Sequence, residues 1–374
     1  MKLNFKYAVM AVTTLALGLT SCSNDDGVAK GTGYTAKLNI SVTVPETRAS
    51  VTYPTTVPRE AVNNFTAFVV EGNTLCSGYS ADGSALTGGT AITASTSSTA
   101  IYVIANAGDL SSSITTVSDL TGYIADLNGI GSQTGASGRW ATGQTMLTSS
   151  DFVQNGRDYT VSKSIILTFI AARITVTVDN QMEHYGDAGS LTLDHIAILN
   201  ARGESLLFPT NGTSLIPSSY SPGNARNFYE GLANNNFYYY PTAGNFTMAP
   251  SLLSDILAAD LSNKIYYYYV FENNATTAAT FPTIVTLIGT KEDGTVVYWP
   301  VHLAPYESWE AGSSTITSAG ITRGNSYDIC IRLTGDATNG GNSTDDPTKP
   351  IVNELIEISI TINPWILVTL DKEL

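Results

Sequence analysis

Residue types that do chemistry are sparse in this 374-residue chain, and each set has to be read for its spacing. The three histidines, His184, His195 and His302, have no second histidine or cysteine at metal-ligand spacing, so the pattern does not make a zinc site. There is no Gly-x-Ser-x-Gly elbow, no His-Glu-x-x-His pair and no phosphate-cradling loop ending in Lys-Ser/Thr. Gly31-x-Gly33-x-x-Ala36 copies part of a dinucleotide fingerprint, but that pattern needs a strand before it and a helix after it, and here it precedes a strand. Asp345-Asp346 offers oxygen ligands of the kind calcium favours, although a solvated loop is the plainer reading of its Gly- and Asn-rich surroundings. The aromatic runs Phe237 to Tyr240 and Tyr266 to Tyr269 suit either a stacking platform for sugars or the packing of sheet faces, the second being usual in a strand-rich chain. No catalytic residue, metal or cofactor is expected.

One other position invites chemistry done to the chain. Lys2 and Lys6 precede an uncharged apolar stretch from Tyr7 to Leu19, and Leu19-Thr20-Ser21-Cys22 follows. That is a lipoprotein signal peptide over residues 1–21, too short to stay as a spanning helix, with Cys22 as the lipidated N-terminus. Each buried acyl methylene contributes about 0.8 kcal/mol, so several chains hold a protein firmly at a membrane. The polar run Ser23 to Gly33 reads as a flexible tether. Beyond the tether and a first strand, Pro45-Glu46-Thr47-Arg48-Ala49-Ser50 reads as a loop.

The elements that must position these residues are strands. Few residues are charged, whereas 20 Tyr, 32 Gly and abundant Thr, Ser, Val and Ile favour strands and turns. A formal charge of −14 argues against nucleic acid, whose phosphates demand clustered Lys and Arg. Cys76 and Cys330 lie far apart among apolar or small neighbours, which suggests two buried thiols in different domains and no disulfide framework.

Leu38, Ile40, Val42 and Val44 alternate with Asn39, Ser41 and Thr43, the period of a half-buried strand. Phe65 to Val70 and Ile101 to Ile104 are further strands, closed by Glu71-Gly72-Asn73 and Asn106-Ala107-Gly108, and Val117 to Leu127 suits one short helix starting near Ser118 or Asp119. A second series opens at Ile174, Val176 and Val178. In it, Leu191 to Asn200 corresponds to Phe65 to Gly72, and Ile265 to Phe271 corresponds to Ile101 to Gly108. Such coarse self-similarity reads as a duplicated domain. Thr283 to Gly289 and Val296 to Leu303 form a hairpin through Asp293-Gly294, and Tyr327 to Leu333 adds a strand. After a polar loop from Gly335 to Pro350, Ile356, Ile358, Ile360 and Ile362 alternate with polar residues, and Asn363-Pro364 separates them from Trp365 to Leu370.

The lipobox, the first strand, the arginine loop, the duplicated β domains and the closing Asn363-Pro364-Trp365-Ile366-Leu367-Val368 together resemble the fimbrillins, the major fimbrial subunits of Bacteroidales type V pili. Tyr102-Val103-Ile104-Ala105-Asn106 and Arg323-Gly324-Asn325-Ser326-Tyr327 carry the likeness into both halves. It implies an all-β fold of two transthyretin-like Greek-key β-sandwich domains in tandem with C-terminal extension strands. The expected division is a signal peptide over 1–21, a tether with a removable first strand over 22–48, domains over 49–160 and 161–350, and a donor-strand segment over 351–374. It also implies a lipid-anchored precursor at the outer membrane, cut between Arg48 and Ala49 by an arginine-specific protease, with Arg59 a weaker second position behind Pro58.

Removing Leu38, Ile40, Val42 and Val44 strips one strand from a sandwich and leaves a sticky apolar groove, which a neighbour's strand can fill. Ile356, Ile358, Ile360 and Ile362 reproduce the spacing of the lost strand; Trp365, Ile366, Val368 and Leu370 offer a second set, which the resemblance favours. Exchange of this kind is heterologous and does not close, so it builds a filament. Loss of residues 1–48 leaves 13 basic and 29 acidic residues, a charge of −16. Expected partners are further copies of the chain, accessory tip and anchor subunits, the protease, the outer membrane and a host or bacterial surface ligand. The alternatives are a tip or anchor subunit and a glycan-binding surface lipoprotein.

Overall fold

The computed structural model describes residues 35–43, 62–81, 90–127, 139–156, 158–180, 191–199, 201–202, 204–208, 252–257, 264–273, 283–291, 293–303, 321–333 and 356–364. Cys22, Val44, Arg48, Ala49, Trp365, Ile366, Val368 and Leu370 lie outside these residues, as do Asp345-Asp346 and Phe237 to Tyr240.

The first half comprises β1 (Thr35–Thr43), β2 (Phe65–Glu71), β3 (Thr74–Ser80), β4 (Thr90–Ser95), β5 (Ala100–Ala105), α1 (Val117–Gly122), β6 (Ile124–Asp126), β7 (Ala141–Met146), β8 (Val153–Asn155), β9 (Asp158–Ile166) and β10 (Thr168–Phe169). They form two sheets, ordered β4-β1-β9-β8 and β10-β7-β5-β2-β3. β2 is buried at every residue from Phe65 to Val70, as befits a strand inside a covered sheet, and Gly72, at φ +61°, turns it into β3. The helix begins at a reciprocal cap in which Asp119 N–H donates to Thr116 Oγ1 at 3.1 Å and Thr116 N–H donates to the Asp119 carboxylate at 2.9 Å. Its start is thus Thr116, and it ends at Gly122, short of the expected Leu127. Ile124–Asp126 is drawn off as β6 by a partner in the other half.

That other half comprises β11 (Ala171–Asn180), β12 (Leu191–Leu199), β13 (Glu204–Leu206), β14 (Leu253–Asp255), β15 (Tyr266–Phe271), β16 (Ile284–Lys291), β17 (Val296–His302), β18 (Asn325–Leu333) and β19 (Ile356–Pro364). Its sheets are ordered β15-β11-β18-β19 and β14-β12-β16-β17, and β13 pairs with β6. Gly294, at φ +82°, makes the β16–β17 hairpin that Asp293-Gly294 signals in the sequence.

The architecture is all-β, two pairs of sheets sharing one buried apolar cluster that runs from Ala36 to Leu333. Matching neighbours in the sheets equates β1, β2, β3, β4, β5, β7 and β9 with β11, β12, β14, β15, β16, β17 and β18. The counterpart of β15 is therefore β4, not the Ile101–Gly108 segment expected from sequence. Both segments are short, apolar and closed by an asparagine turn, but β5 pairs with β2 and β7 whereas β15 pairs with β11. Partner choice is non-local, and local likeness does not report it. The sheets also divide at Ile170, past the boundary expected at 160, because the whole of β9 belongs with β1 and β10 belongs with β7.

Candidate functional site

β1 lies inside its sheet rather than at the edge. It runs antiparallel to β4 from Thr35↔Ser95 to Ile40↔Thr90, and parallel to β9 from Ala36↔Tyr159 to Thr43↔Ile166. Ala36, Leu38 and Ile40 are each 0 % exposed, so the alternation read from the sequence turns an apolar row into the core. The expected removable residues Leu38, Ile40 and Val42 thus share one strand, opposite Val161, Lys163 and Ile165. Adjacent strands sit about 4.8 Å apart, so loss of β1 leaves a slot about 9.6 Å wide between two unpaired backbone edges. Behind it β7 comes close: a Cβ on Gly143 would lie 2.5 Å from the Ile166 carbonyl oxygen and 2.6 Å from Ile165 Cγ2, so only glycine fits there.

One polar pair interrupts the row along β9. Lys163 Nζ lies 2.7 Å from Asp151 Oδ1, with the two side chains 24 % and 21 % exposed. The Lys163 hydrogen bond, then the Thr148 backbone N–H, holds the Asp151 carboxyl below the usual carboxylate range. Sequence reading missed this pair, since twelve residues and a change of direction separate its members. Val161 and Ile165, each two residues from Lys163, are the one signal that it points inward.

The expected donor residues Ile356, Ile358, Ile360 and Ile362 lie on β19, which pairs antiparallel with β18 along its whole length, from Asn325↔Pro364 to Leu333↔Ile356. β19 is the last strand of its sheet and lies in a different sheet from β1. The ladder runs through Asn363 and Pro364, and a proline there costs little on an outermost strand.

A second feature joins the halves. Arg323 donates from Nη2 to Glu272 Oε1 (3.2 Å), the Leu206 carbonyl (2.7 Å) and Ser205 Oγ (3.0 Å), and from Nη1 to the Leu207 carbonyl (2.9 Å). Leu207 N–H in turn donates to the Tyr123 carbonyl, and Thr142 Oγ1 donates to the Leu207 carbonyl, both across the joint. Arg139 covers the Tyr269 ring at 3.9 Å. Burial pushes the Glu272 carboxyl up, against the opposing pull of Arg323 and Arg202. These contacts spend Tyr269 on packing, and with Tyr266 and Tyr268 also buried, Tyr266 to Tyr269 presents no platform for a sugar.

Among the described residues no three His, Cys, Asp or Glu side chains gather as a metal would need. His195 Nδ1 sits 3.0 Å from Asp255 Oδ1, across the pair of β12 and the outermost strand β14. Cys76 and Cys330 are half-buried, not fully buried as expected, and neither is in a disulfide.

Comparison with known proteins gives a consistent result. Residues 171–365 match the family model of the C-terminal domain of FimA-like major fimbrial subunit proteins. A Bacteroides eggerthii protein assigned to cell adhesion superposes with a TM-score of 0.64 at 23 % identity, covering 91 % of this chain and 98 % of its own. A fimbrilin of Porphyromonas gingivalis superposes at 0.57 with 18 % identity, covering 89 % and 98 %. A Parabacteroides distasonis protein assigned to cell adhesion gives 0.53 at 13 % identity, covering 89 % and 100 %. No curated protein matches the chain in sequence. At these identities the structures speak for a shared fold, and the family match covers more than half of the chain.

Proposed function

The chain belongs to the family of FimA-like major fimbrial subunit proteins, and from that premise we propose that it is the shaft subunit of a surface fimbrium, with a structural and not a catalytic role. In this reading the precursor is lipidated at Cys22 and held at the outer membrane. An arginine-specific protease then hydrolyses the Arg48–Ala49 peptide bond, water supplying the new carboxylate and amine. β1 leaves, and the C-terminal segment of another copy takes its place. Accessory subunits at tip and base, and a ligand on a host or bacterial surface, complete the set of partners.

One observation supports this reading above the others: β1 is an inner strand whose Ala36, Leu38 and Ile40 are fully buried, and the chain runs from it to its sheet partners through the segment that carries Arg48. After a cut there, β1 is held by its two ladders and its packing alone. Leu38 and Ile40 each contribute about 1.5–3 kcal/mol of burial. A replacement strand with the same alternation recovers that contribution, along with the main-chain bonds. The acidic surface of the shortened chain favours solubility of the shaft.

N-terminal sequencing of subunits extracted from fibres tests the reading. A start at Ala49 is the expected result. Fibres whose subunits begin at an acylated Cys22 would overturn both the cut and the exchange.

A further inference from the structure

The row of β9 that lies opposite Ala36, Leu38, Ile40 and Val42 is Tyr159, Val161, Lys163 and Ile165. Val161 and Ile165 are buried, whereas Lys163 carries its ammonium to Asp151 at 2.7 Å. In the second half the matching row beside β11 is Tyr327, Ile329, Ile331 and Leu333, opposite Ile174, Val176, Val178 and Asn180. Every residue of that row is apolar and buried, Ile329 at 2 % and Ile331 at 0 % exposure, where the first half has Lys163. The topology therefore does not require a charge at this point: the same molecule fills it with isoleucine in the sheet whose central strand is bound at both ends.

Building on the strand-exchange reading, we propose that Lys163, held by Asp151, is a specificity residue of the slot: it sets the register of the incoming strand by excluding a cationic side chain from the position opposite it. The occupant is Trp365–Leu374 of a second copy, running in the direction of β1. Its alternate residues are Ile366, Val368, Leu370, Lys372 and Leu374, so the apolar row carries one cation. Three threadings keep that row inward, and they differ in whether Lys372 falls at the place of Ile40, Val42 or Val44. The first fills the slot with Val368, Leu370, Lys372 and Leu374 but sets Lys372 directly beside Lys163. Two ammonium groups then face one carboxylate across neighbouring strands about 4.8 Å apart, an arrangement that is destabilising. The last puts Ile366, Val368 and Leu370 at the places of Leu38, Ile40 and Val42, and carries Lys372 past the row. Val368 then lies against the methylene stem of Lys163, whose head remains with Asp151. Specificity of this kind rests on a repulsive element as much as on apolar fit.

Engineered disulfides read the register in fibres from cells making the full chain, with Cys76 and Cys330 replaced by serine. Thr369→Cys pairs with Ser164→Cys in the last threading and with Thr160→Cys in the first, since β9 holds these residues opposite Ser41 and Lys37. Neighbouring strands lie within the Cα separation that a disulfide spans. With the native charges the Ser164→Cys link is expected to exceed the Thr160→Cys link by about tenfold. Lys372→Glu, which leaves the slot untouched, is expected to reverse that ratio, and Lys163→Met to bring it near unity. A ratio unmoved by both substitutions overturns the proposal and leaves strand exchange standing, with register set by shape. Ser162→Cys, opposite Asn39, reads the middle threading; if fibres form but Thr369→Cys links to none of the three β9 positions in any variant, the C-terminal segment does not fill the slot and the strand-exchange reading itself fails.

Discussion

The sheets β4-β1-β9-β8 and β15-β11-β18-β19 are built to one pattern, a central strand with an antiparallel neighbour on one side and a parallel neighbour on the other. They differ in three respects. β11 follows β10 directly through Ile170, whereas the chain runs from β1 to its sheet partners β4 and β9 through the segment that carries Arg48. The fourth strand is the three-residue β8 in one sheet and the nine-residue β19, which arrives from beyond β18, in the other. The row beside the central strand is apolar in the second sheet and carries Lys163 in the first. Under the proposed function, one topology serves as a permanent support in the second half and as a sheet that one cut can open in the first.

The largest expected effect comes from the loop. Arg48→Ala is expected to abolish polymer and leave full-length precursor, read by electron microscopy of cells and by the mass of the extracted subunit. An arginine loop grafted between β11 and β12 and cut in the same way is expected to release nothing, because β11 stays attached through Ile170. Normal fibres from the Arg48→Ala strain would end the comparison. Deletion of Trp365 to Leu374 is expected to give a folded, cleaved monomer that does not polymerise.

Next come substitutions at the joint. Arg323→Ala takes from Glu272, which is 3 % exposed, the guanidinium that hydrogen-bonds both its oxygens, and is expected to destabilise the precursor by about 3 kcal/mol in denaturant titrations. A core deletion separates the sheets more sharply. Leu38→Ala and Ile174→Ala, both at fully buried sites, are each expected to cost the precursor about 2–5 kcal/mol. Only Ile174→Ala should also weaken the mature fibre, since Leu38 is no longer in it. Equal weakening of the fibre by both would mean that β1 is retained.

The smallest effect is one of pH. The Asp151 carboxyl is held below its ordinary range, chiefly by Lys163, so its folded pKa is depressed. Its contribution is present above the unfolded value, about 3.9, and is lost as pH falls through the lower folded value. Asp151→Asn is expected to remove that part of the acid dependence in thermal scans below about pH 4, with no change at neutral pH in that dependence.

Several features were legible in the residues alone. Alternation marked β1, β11 and β19 because successive side chains of an extended chain face opposite ways, and apolar runs, several of them closed by turn residues, marked β2, β5, β12, β15, β16, β17 and β18. Asp293-Gly294 marked a hairpin because few residues accept a positive φ. The short strands β3, β8, β10, β13 and β14 left no comparable mark, being too brief or too polar for a period to show. Val117 to Leu127 was read as one helix, and β6 was lost inside it, because Ile124–Asp126 becomes a strand only through β13, far away in the chain.

By itself the sequence determined the all-β character, the duplicated plan and the apolar row of the first strand, since these are properties of composition and of neighbours two residues apart. Only the tertiary structure decided that β1 is an inner strand, that β15 matches β4, that β19 lies along β18, and that Lys163 meets Asp151 and Arg323 meets Glu272. Strand propensity makes a segment extended, but it does not name a partner. Pairing is settled by which distant edges and apolar faces the whole chain can satisfy at once.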